Sequence, residues 1–274
     1  MTFWRSVEAI HDVVYFAPDA GRRFEAVGLK GYWMGYVASR SAALGTPAPQ
    51  VVTGAFHGFA PALIRRALPD AWSMATRTDI LAARYDLARG ALRPALDGHD
   101  ADHLAAELIA ITRGLDFAGK TLAAAHVALP EPDDDAGRLW HAATAIREYR
   151  GDCHVAVLTA AGLDGASANA LAVAAGLAAD GQRERRGWTE AEWADAVGRL
   201  AQRGWVRADG AITDAGRAAR GQIEATTDRV CAAGIDREAT ARIITVEAGL
   251  LTVARSIADS GAVLYPNPTG VPRA

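Results

Sequence analysis

The stretch that most constrains how this chain can fold runs from residue 189 to residue 227. Thr189 and Glu192 have the T-x-x-E spacing of a capping box, which predicts a helix start at this point. Apolar residues then recur at spacings of four and three, which places them on one face of a helix. Gly204 provides the left-handed residue with which helices commonly end. The first element of the stretch is therefore predicted to be an amphipathic helix.

A short hairpin and a longer helix are predicted to follow. The D-G pair at 209–210 favours a tight turn between two short strands. Thr213 or Asp214 can cap the next helix, in which Ile223 and Val230 are predicted to face inward. A capped helix, a hairpin and a long helix are the recognition helix, wing and trailing helix of a winged helix-turn-helix unit.

Two resemblances agree with this interpretation. The phrase L-A-Q-R-G-W-V-R-A-D-G-A-I-T-D-A-G-R at 200–217 resembles the winged helix of MarR-type regulators. The wider chain is similar to an actinobacterial family of largely uncharacterised helix-turn-helix proteins. The phrases that carry this similarity are F-A-P-D (16–19), G-L-K-G-Y (28–32), A-L-P-D-A-W (67–72) and R-E-Y-R-G-D-C-H-V-A (147–156). The resemblance implies a DNA-binding unit in the C-terminal half and assigns no chemistry to the chain.

The acidic charge of the predicted recognition helix argues against direct recognition of DNA bases by this helix. Acidic residues, Glu190, Glu192 and Asp195, occupy its first half, where base-reading side chains normally lie. The residues expected to contact DNA are Arg185, Arg186, Arg199, Arg203 and Arg207. Double-stranded DNA is therefore one candidate partner, and a winged helix kept only as a scaffold is the alternative.

Length and composition predict a predominantly all-α protein with two helical halves. The chain has 274 residues, of which 50% are hydrophobic, enough for one large or two moderate domains. We place an N-terminal helical domain, a candidate sensor, at residues 1–130, and a winged-helix-like domain with a C-terminal helix at 136–274. The boundary is the linker P-E-P-D-D-D at 130–135. The tail Y-P-N-P at 265–268 is predicted to be non-helical because of its prolines.

The same properties bound location and partners. The net charge of −3 gives no general attraction to nucleic acid or anionic membranes. The chain has two cysteines, too few for a zinc framework, and a reducing cytoplasm is the expected setting. The sequence predicts no secretion signal, no membrane span and no cofactor. The terminal helices are candidates for a homodimer contact.

Candidate chemistry is concentrated at R-E-Y-R-G-D-C-H, residues 147–154. We predict a helix through Arg150, a joint at Gly151 and a second helix capped by Asp152. An anion pocket is one hypothesis, in which Arg147 or Arg150 binds a carboxylate through two hydrogen bonds and His154 exchanges protons near neutral pH. An interhelical ion-pair network that locks the joint is the alternative. The predicted ligand-binding residues of this cluster are Arg147, Glu148, Arg150, Asp152 and His154.

Residues from the N-terminal half complete the predicted pocket. His57 lies between Phe56 and Gly58 and is a candidate for the pocket, or else an ordinary core histidine. Trp33 and Tyr36 belong to an aromatic set that either fills the core or lines a ligand site. A metal site is a third possibility, drawn from His57, His141, Glu148, Asp152 and His154, although no compact metal-binding signature is present.

The sequence therefore predicts a small-molecule-responsive transcriptional regulator with a ligand pocket between its two helical halves. The alternative is an enzyme on a winged-helix scaffold, which would use His57 or His154 as the acid–base group on an anionic or aromatic small molecule.

Overall fold

A computed structural model describes residues 2–178, 181–263 and 273, and these residues form a predominantly helical fold, as predicted. The predicted non-helical tail at 265–268 lies outside them. The helices in chain order are α1 (Thr2–Phe16), α2 (Ala20–Ala26), α3 (Gly31–Ser41), α4 (Pro49–Ala55), α5 (Pro61–Ala67), α6 (Ala71–Met74), α7 (Arg77–Leu92), α8 (Ala101–Arg113), α9 (Thr121–Val127), α10 (Asp135–Ala160), α11 (Gly165–Ala174), α12 (Gln182–Arg185), α13 (Glu190–Gln202), α14 (Asp214–Ala233) and α15 (Arg237–Ser260).

Short polar side chains define the starts of the C-terminal helices. The Thr189 hydroxyl and the Glu192 carboxylate form the predicted reciprocal capping box at the start of α13. Thr213 caps α14 by accepting a hydrogen bond from the Gly216 amide, and Asp236 caps α15 in the same way. These side chains satisfy amide groups that have no partner within the helix, so the local sequence places the helix starts correctly.

The large hydrophobic core is built around α10. This helix packs against α1, α7, α8, α9 and α14, and its Trp140 and Tyr149 are fully buried. Helix α15 packs against α1 and α8, so the two ends of the described chain meet on the same core. Buried residues of this core run from Phe3 to Cys153 and again from Cys231 to Val263.

A second, smaller core belongs to the residues between these two groups. It contains Val157, Leu163, Leu171, Leu200 and Ile223, which come from α10, the loop after it, α11, α13 and α14. Helix α10 therefore contributes to both cores, with its residues up to Cys153 in the large core and those from Val157 onwards in the small one. The C-terminal helix α15 contributes to the large core. The boundary at residues 130–135 stays a prediction.

The predicted β-hairpin is not formed in the described chain. Val206 and Ile212 form a single antiparallel bridge, and the described part of the chain contains no β-sheet. The turn at Gly210 has the expected positive φ of 82°. Val230, predicted to face inward, is instead 37% exposed, because this part of α14 packs on one side only, through residues such as Thr227 and Cys231.

The predicted joint at Gly151 is wrong, because α10 continues without a break from Asp135 to Ala160. Asp152 lies inside α10 and therefore does not cap a helix that starts at its own position. Its Oδ2 accepts hydrogen bonds from the amides of Leu122 and Ala123, 2.9 and 3.0 Å away, at the start of α9. A side chain from the middle of one helix thus caps a different helix, a contact that the local sequence does not encode.

Among the described helices, no single one is long and apolar enough to cross a membrane. Helices α10 and α11 together have the length and apolar composition of a membrane span, but the angle between them is 100°.

Candidate functional site

A cavity of about 260 Å³ lies where the N-terminal helices, α10 and the small C-terminal core meet. His57 comes from the loop between α4 and α5, and Arg147, Glu148, Asp152 and His154 come from α10. The structure therefore brings five of the predicted ligand-binding residues to one cavity. The remaining lining residues are Arg40, Ala55, Phe56, Gly58, Phe59, Gly151, Val155, Leu158, Leu163, Ala168, Asn169, Leu171, Ala172, Leu177, Ala178, Gln182, Arg186, Arg220 and Ile223.

A buried ion-pair network forms the polar wall of this cavity. Arg40 donates to both carboxylate oxygens of Glu148, over 2.9 and 2.8 Å, and Arg147 donates to the same carboxylate over 2.9 Å. Arg147 also pairs with Glu8 on α1. Burial opposes ionisation of Glu148, but the two guanidinium groups outweigh it and hold the pKa of Glu148 well below its usual range. The cavity wall is therefore permanently charged near neutral pH.

The hydrogen bonds of the two cavity histidines fix which ring nitrogen carries the proton. His57 Nε2 lies 3.1 Å from the carbonyl oxygen of Leu163, which can only accept, so Nε2 is protonated. His154 Nδ1 lies 3.0 Å from the hydroxyl of Thr227, which itself donates to the carbonyl of Ile223. His154 Nδ1 must therefore donate, which leaves His154 Nε2 and His57 Nδ1 as acceptors.

Burial keeps both imidazole rings neutral. It lowers the pKa of His154 to about 4, an effect that Glu224 only partly offsets. It also lowers the pKa of His57, although the hydrogen bond to Leu163 acts in the opposite direction. At neutral pH the cavity therefore presents two uncharged imidazole groups beside a charged arginine–glutamate network.

Gln182 is a cavity residue that the sequence analysis missed. It opens α12, is 5% exposed, and its Oε1 atom has no hydrogen-bond partner among the described residues. Buried polar atoms are nearly always hydrogen-bonded. Arg40 was also missed, at the end of the aromatic helix α3. Neither residue has a local sequence signal, because each joins the cavity only through the packing of distant helices.

The loop between α4 and α5 joins the N-terminal helices to α11 and to the segment before α13. Its Gly58 carbonyl accepts hydrogen bonds from Asn169 Nδ2 on α11, over 2.6 Å, and from Trp188 Nε1 before α13, over 3.2 Å. The Ala60 amide donates to the carbonyl of Arg186 over 2.8 Å. The cavity wall and this contact surface thus share the same loop and the same α11–α13 connection.

Trp33 and Tyr36, the other predicted ligand-binding residues, line a neighbouring cavity of about 230 Å³. Tyr15, Phe16, Tyr32 and Phe59 complete its aromatic wall, and Arg185 and Arg186 lie at its edge. Phe59 and Arg186 line both cavities. The guanidinium group of Arg186 lies over the Phe59 ring, 4.4 Å from its centre.

Two predicted residues lie away from the cavity lining. Arg150 pairs with Glu224 and Asp228 of α14, over 2.9 and 2.8 Å, so it joins α10 to α14. His141, elsewhere on α10, shares a hydrogen bond with Tyr85 of α7, with 2.7 Å between its Nδ1 and the Tyr85 hydroxyl oxygen. Within the part of the chain that the structure describes, no three His, Cys, Asp or Glu side chains are grouped to hold a metal ion.

The predicted DNA-binding arginines are largely engaged in contacts within the chain. Arg199 pairs with Asp164 over 2.7 Å, and Arg203 donates to the carbonyls of Ala161 and Gly162. Arg207 pairs with Asp209 at the wing. Arg185 is exposed, whereas Arg186 is partly buried at the two cavities. The exposed start of α13 remains acidic through Glu190 and Asp195.

Comparison with known proteins places the chain in a family. The family described as a helix-turn-helix family matches residues 1–264, which is nearly the whole chain. No curated protein and no solved structure matches the chain. The matched residues include all those that line the cavity. The chain belongs to this helix-turn-helix family.

Proposed function

We propose that this protein is a DNA-binding transcriptional regulator whose helix-turn-helix unit responds to a small molecule bound in the cavity between the N-terminal helices and α10–α14. Membership of a helix-turn-helix family supports the DNA-binding part. The observation that carries the ligand-responsive part is the position of the cavity. Its walls include α11, the α11–α13 connection and the loop at residues 56–60.

This position couples the cavity to the helix-turn-helix unit. Ala168 and Leu171 of α11 and Gln182 of the connection line the cavity, while α11 packs directly against α13. A ligand that contacts the connection therefore acts on the relative placement of the two helices that a helix-turn-helix protein presents to DNA. Its effect on DNA affinity is limited by the difference in ligand affinity between the two placements.

The surface of the winged unit predicts modest, salt-sensitive DNA binding. Arg199 and Arg207 are paired only with exposed or half-exposed acids, and such surface pairs are worth about 0–1 kcal/mol. Phosphate groups can therefore compete for these arginines. With Arg203 and Arg217 on the same unit, about four phosphate contacts are available, which predicts a slope of roughly −3 to −4 for log affinity against log salt.

Fluorescence-anisotropy titration tests this part of the proposal. The full chain is titrated with duplex DNA from upstream of its own coding sequence and with duplexes selected from a random pool, over a series of salt concentrations. We expect saturable binding that exceeds binding to unselected DNA, and a slope reduced by about one unit in Arg207→Ala. Arg229→Ala, an exposed arginine near the far end of α14, is the matched control. The absence of any preferred duplex at low salt would contradict DNA-binding regulation.

A second candidate function is general acid–base catalysis in the same cavity, as the sequence alternative expected. The observation that favours it is the pair of neutral imidazoles, each with an unprotonated nitrogen. Incubation of the protein with a metabolite extract, followed by mass spectrometry, tests it. Consumption of a compound by the wild type but not by His154→Asn or His57→Asn would support catalysis, and identical profiles would exclude it for that extract.

A further inference from the structure

We propose that the ligand of the cavity is a small hydroxylated organic acid with an apolar body, and that Gln182 and His154 recognise its hydroxyl group. This inference rests on the proposed function for its regulatory consequence, since the cavity is the one assigned there to the effector. The ligand class follows from three features of the cavity lining: unused acceptors, arginine N–H groups that have no acceptor in the described chain, and apolar side chains.

The unused acceptors call for a hydrogen-bond donor on the ligand. Gln182 Oε1 is buried in the cavity wall and has no partner within the described residues. His154 Nε2 is an acceptor because its Nδ1 donates to Thr227, and no hydrogen bond to Nε2 occurs in the described chain. Gln182 Oε1 is buried and unfavourable without a partner, and the half-buried His154 Nε2 is open to one, so a ligand hydroxyl that donates to them is bound selectively.

The arginine side chains of the lining offer N–H groups to an anion. Four arginines line the cavity, and acids pair with three of them, Arg40, Arg147 and Arg220. Arg147 uses Nε on Glu8 and Nη1 on Glu148, and Arg220 uses Nη1 on Glu224, so each retains further N–H groups. A carboxylate can accept two of these N–H groups side by side.

The uncharged acceptors identify which donor the ligand carries. An ammonium group bound to Gln182 Oε1 and His154 Nε2 would give up its hydration without gaining a carboxylate partner from them, which is costly. A hydroxyl group donates a hydrogen bond without charge. The acceptors and the arginines together therefore favour a hydroxy acid over an amino acid.

The apolar side chains of the lining set the character of the ligand body. They include Phe56, Leu158, Leu163, Leu171 and Ile223. The volume of about 260 Å³ is slightly below the range of ligand pockets, roughly 300–1,000 Å³. A compact aromatic or branched aliphatic body matches this space, and a nucleotide or an extended lipid does not.

Two sets of three compounds test the inference by isothermal titration calorimetry on the full chain. One set is phenyllactate, phenylpropionate, which lacks the hydroxyl, and methyl phenyllactate, which lacks the charge. The other set is hydroxyisocaproate, isocaproate and the methyl ester of hydroxyisocaproate. We expect at least one hydroxy acid to bind, and removal of its hydroxyl or its charge to weaken binding by about tenfold or more.

Variants assign the hydroxyl to its two acceptors. Gln182→Met removes the amide at similar size, and His154→Asn keeps a donor for Thr227 while removing the Nε2 acceptor. Each is expected to weaken the hydroxy acid by about tenfold and to leave the acid without the hydroxyl within about twofold, as a double-mutant cycle requires for a direct contact. Gln222→Met, at an exposed site on α14, is the matched control. Circular dichroism verifies the fold of each variant.

The outcomes separate the ligand class from the regulatory role. If neither hydroxy acid binds more tightly than both of its analogues, the ligand class is wrong, while preferred DNA binding would leave the proposed regulator intact. If a hydroxy acid binds with the expected dependence on Gln182 and His154, the ligand class stands. An unchanged DNA affinity at saturating hydroxy acid would then contradict ligand-responsive regulation alone.

Discussion

Arg40 and Glu148 form a two-pronged ion pair inside the protein, with Nε–Oε1 and Nη2–Oε2 distances of 2.9 and 2.8 Å. The two residues are 108 positions apart in the chain and join α3 to α10. Glu148 is only 1% exposed, and Arg147 shares its carboxylate. One buried carboxylate therefore binds two guanidinium groups at the wall of the cavity, and Glu8 supplies a second negative charge to Arg147.

Glu148→Gln is expected to lower the free energy of unfolding by about 3–5 kcal/mol, because it leaves Arg40 with an uncompensated buried charge. Urea denaturation monitored by circular dichroism measures this change. Glu190→Gln, at an exposed position on α13, should change stability by no more than about 0.5 kcal/mol. A loss below about 1 kcal/mol in Glu148→Gln would show that the pair does not hold α3 to α10.

Asp152→Asn is expected to change how stability depends on pH. Burial, together with Glu148, raises the pKa of Asp152 from 3.8 to about 6, although the amides of Ala123 and Leu122 act against the shift. The folded protein thus holds this proton more tightly than the unfolded chain, so stability falls as the pH rises from 3.8 through about 6.

The variant cannot ionise, so its stability relative to the wild type should increase by on the order of 1–2 kcal/mol between pH 4 and pH 7. Its amide oxygen can still accept the two α9 hydrogen bonds. Urea denaturation at several pH values gives the comparison, with the exposed Asp195→Asn as control. A difference that stays constant across this pH range would mean that Asp152 ionises normally in the folded protein.

His126→Leu is expected to protect the protein against acid. His126 is 3% exposed, and its Nε2 has no hydrogen-bond partner in the described part of the chain. Burial lowers the pKa of His126 from 6.5 to about 3. Above pH 6.5 the His126 ring is neutral in both the folded and the unfolded protein. As the pH falls from 6.5 towards 3, the unfolded chain takes up the proton first, so the free energy of unfolding decreases.

Relative to the wild type, His126→Leu should therefore gain about 2 kcal/mol in free energy of unfolding on going from pH 7.5 to pH 5. Thermal and urea denaturation at the two pH values measure the gain. The exposed His103→Leu on α8 serves as the control. If the wild type and His126→Leu lose the same free energy of unfolding in acid, another group causes the acid sensitivity.

Gly165→Ala tests the contact between α11 and the loop at residues 56–60. A Cβ atom at Gly165 would lie 2.0 Å from the carbonyl oxygen of His57, so the backbone must move. We expect a loss of about 1–3 kcal/mol in unfolding free energy. Gly221→Ala meets no atom within 4 Å in the middle of α14 and should stabilise the protein by about 0.5–1 kcal/mol. Similar effects of the two substitutions would argue against close packing at this contact.

The helix starts of the C-terminal half could be predicted from the sequence because their signals are local. The capping box at Thr189 and Glu192, the cap at Thr213 and the turn at Gly210 each depend on residues within a few positions of one another. The wing was overestimated, because a D-G pair predicts a turn but does not determine how many strand residues pair beside it.

The course of α10 could not be predicted from local signals. Gly151 is a poor helix former, and Asp152 favours helix starts, so together they indicated a break. In the folded protein, burial of α10 against its neighbouring helices outweighs the weak preference of one glycine, and Asp152 caps α9 instead. Tertiary packing therefore decided both the helix and the role of its carboxylate.

The sequence by itself determined the helical class, the helix caps and the clustering of charged and imidazole groups between Arg147 and His154, since each depends on neighbouring residues. Only the tertiary structure decided which of these groups share a cavity. It brought in Arg40 and Gln182 from distant elements and directed Arg150 to α14. The physical reason is that contacts across many residues depend on how whole helices bury their apolar faces, which no short segment encodes.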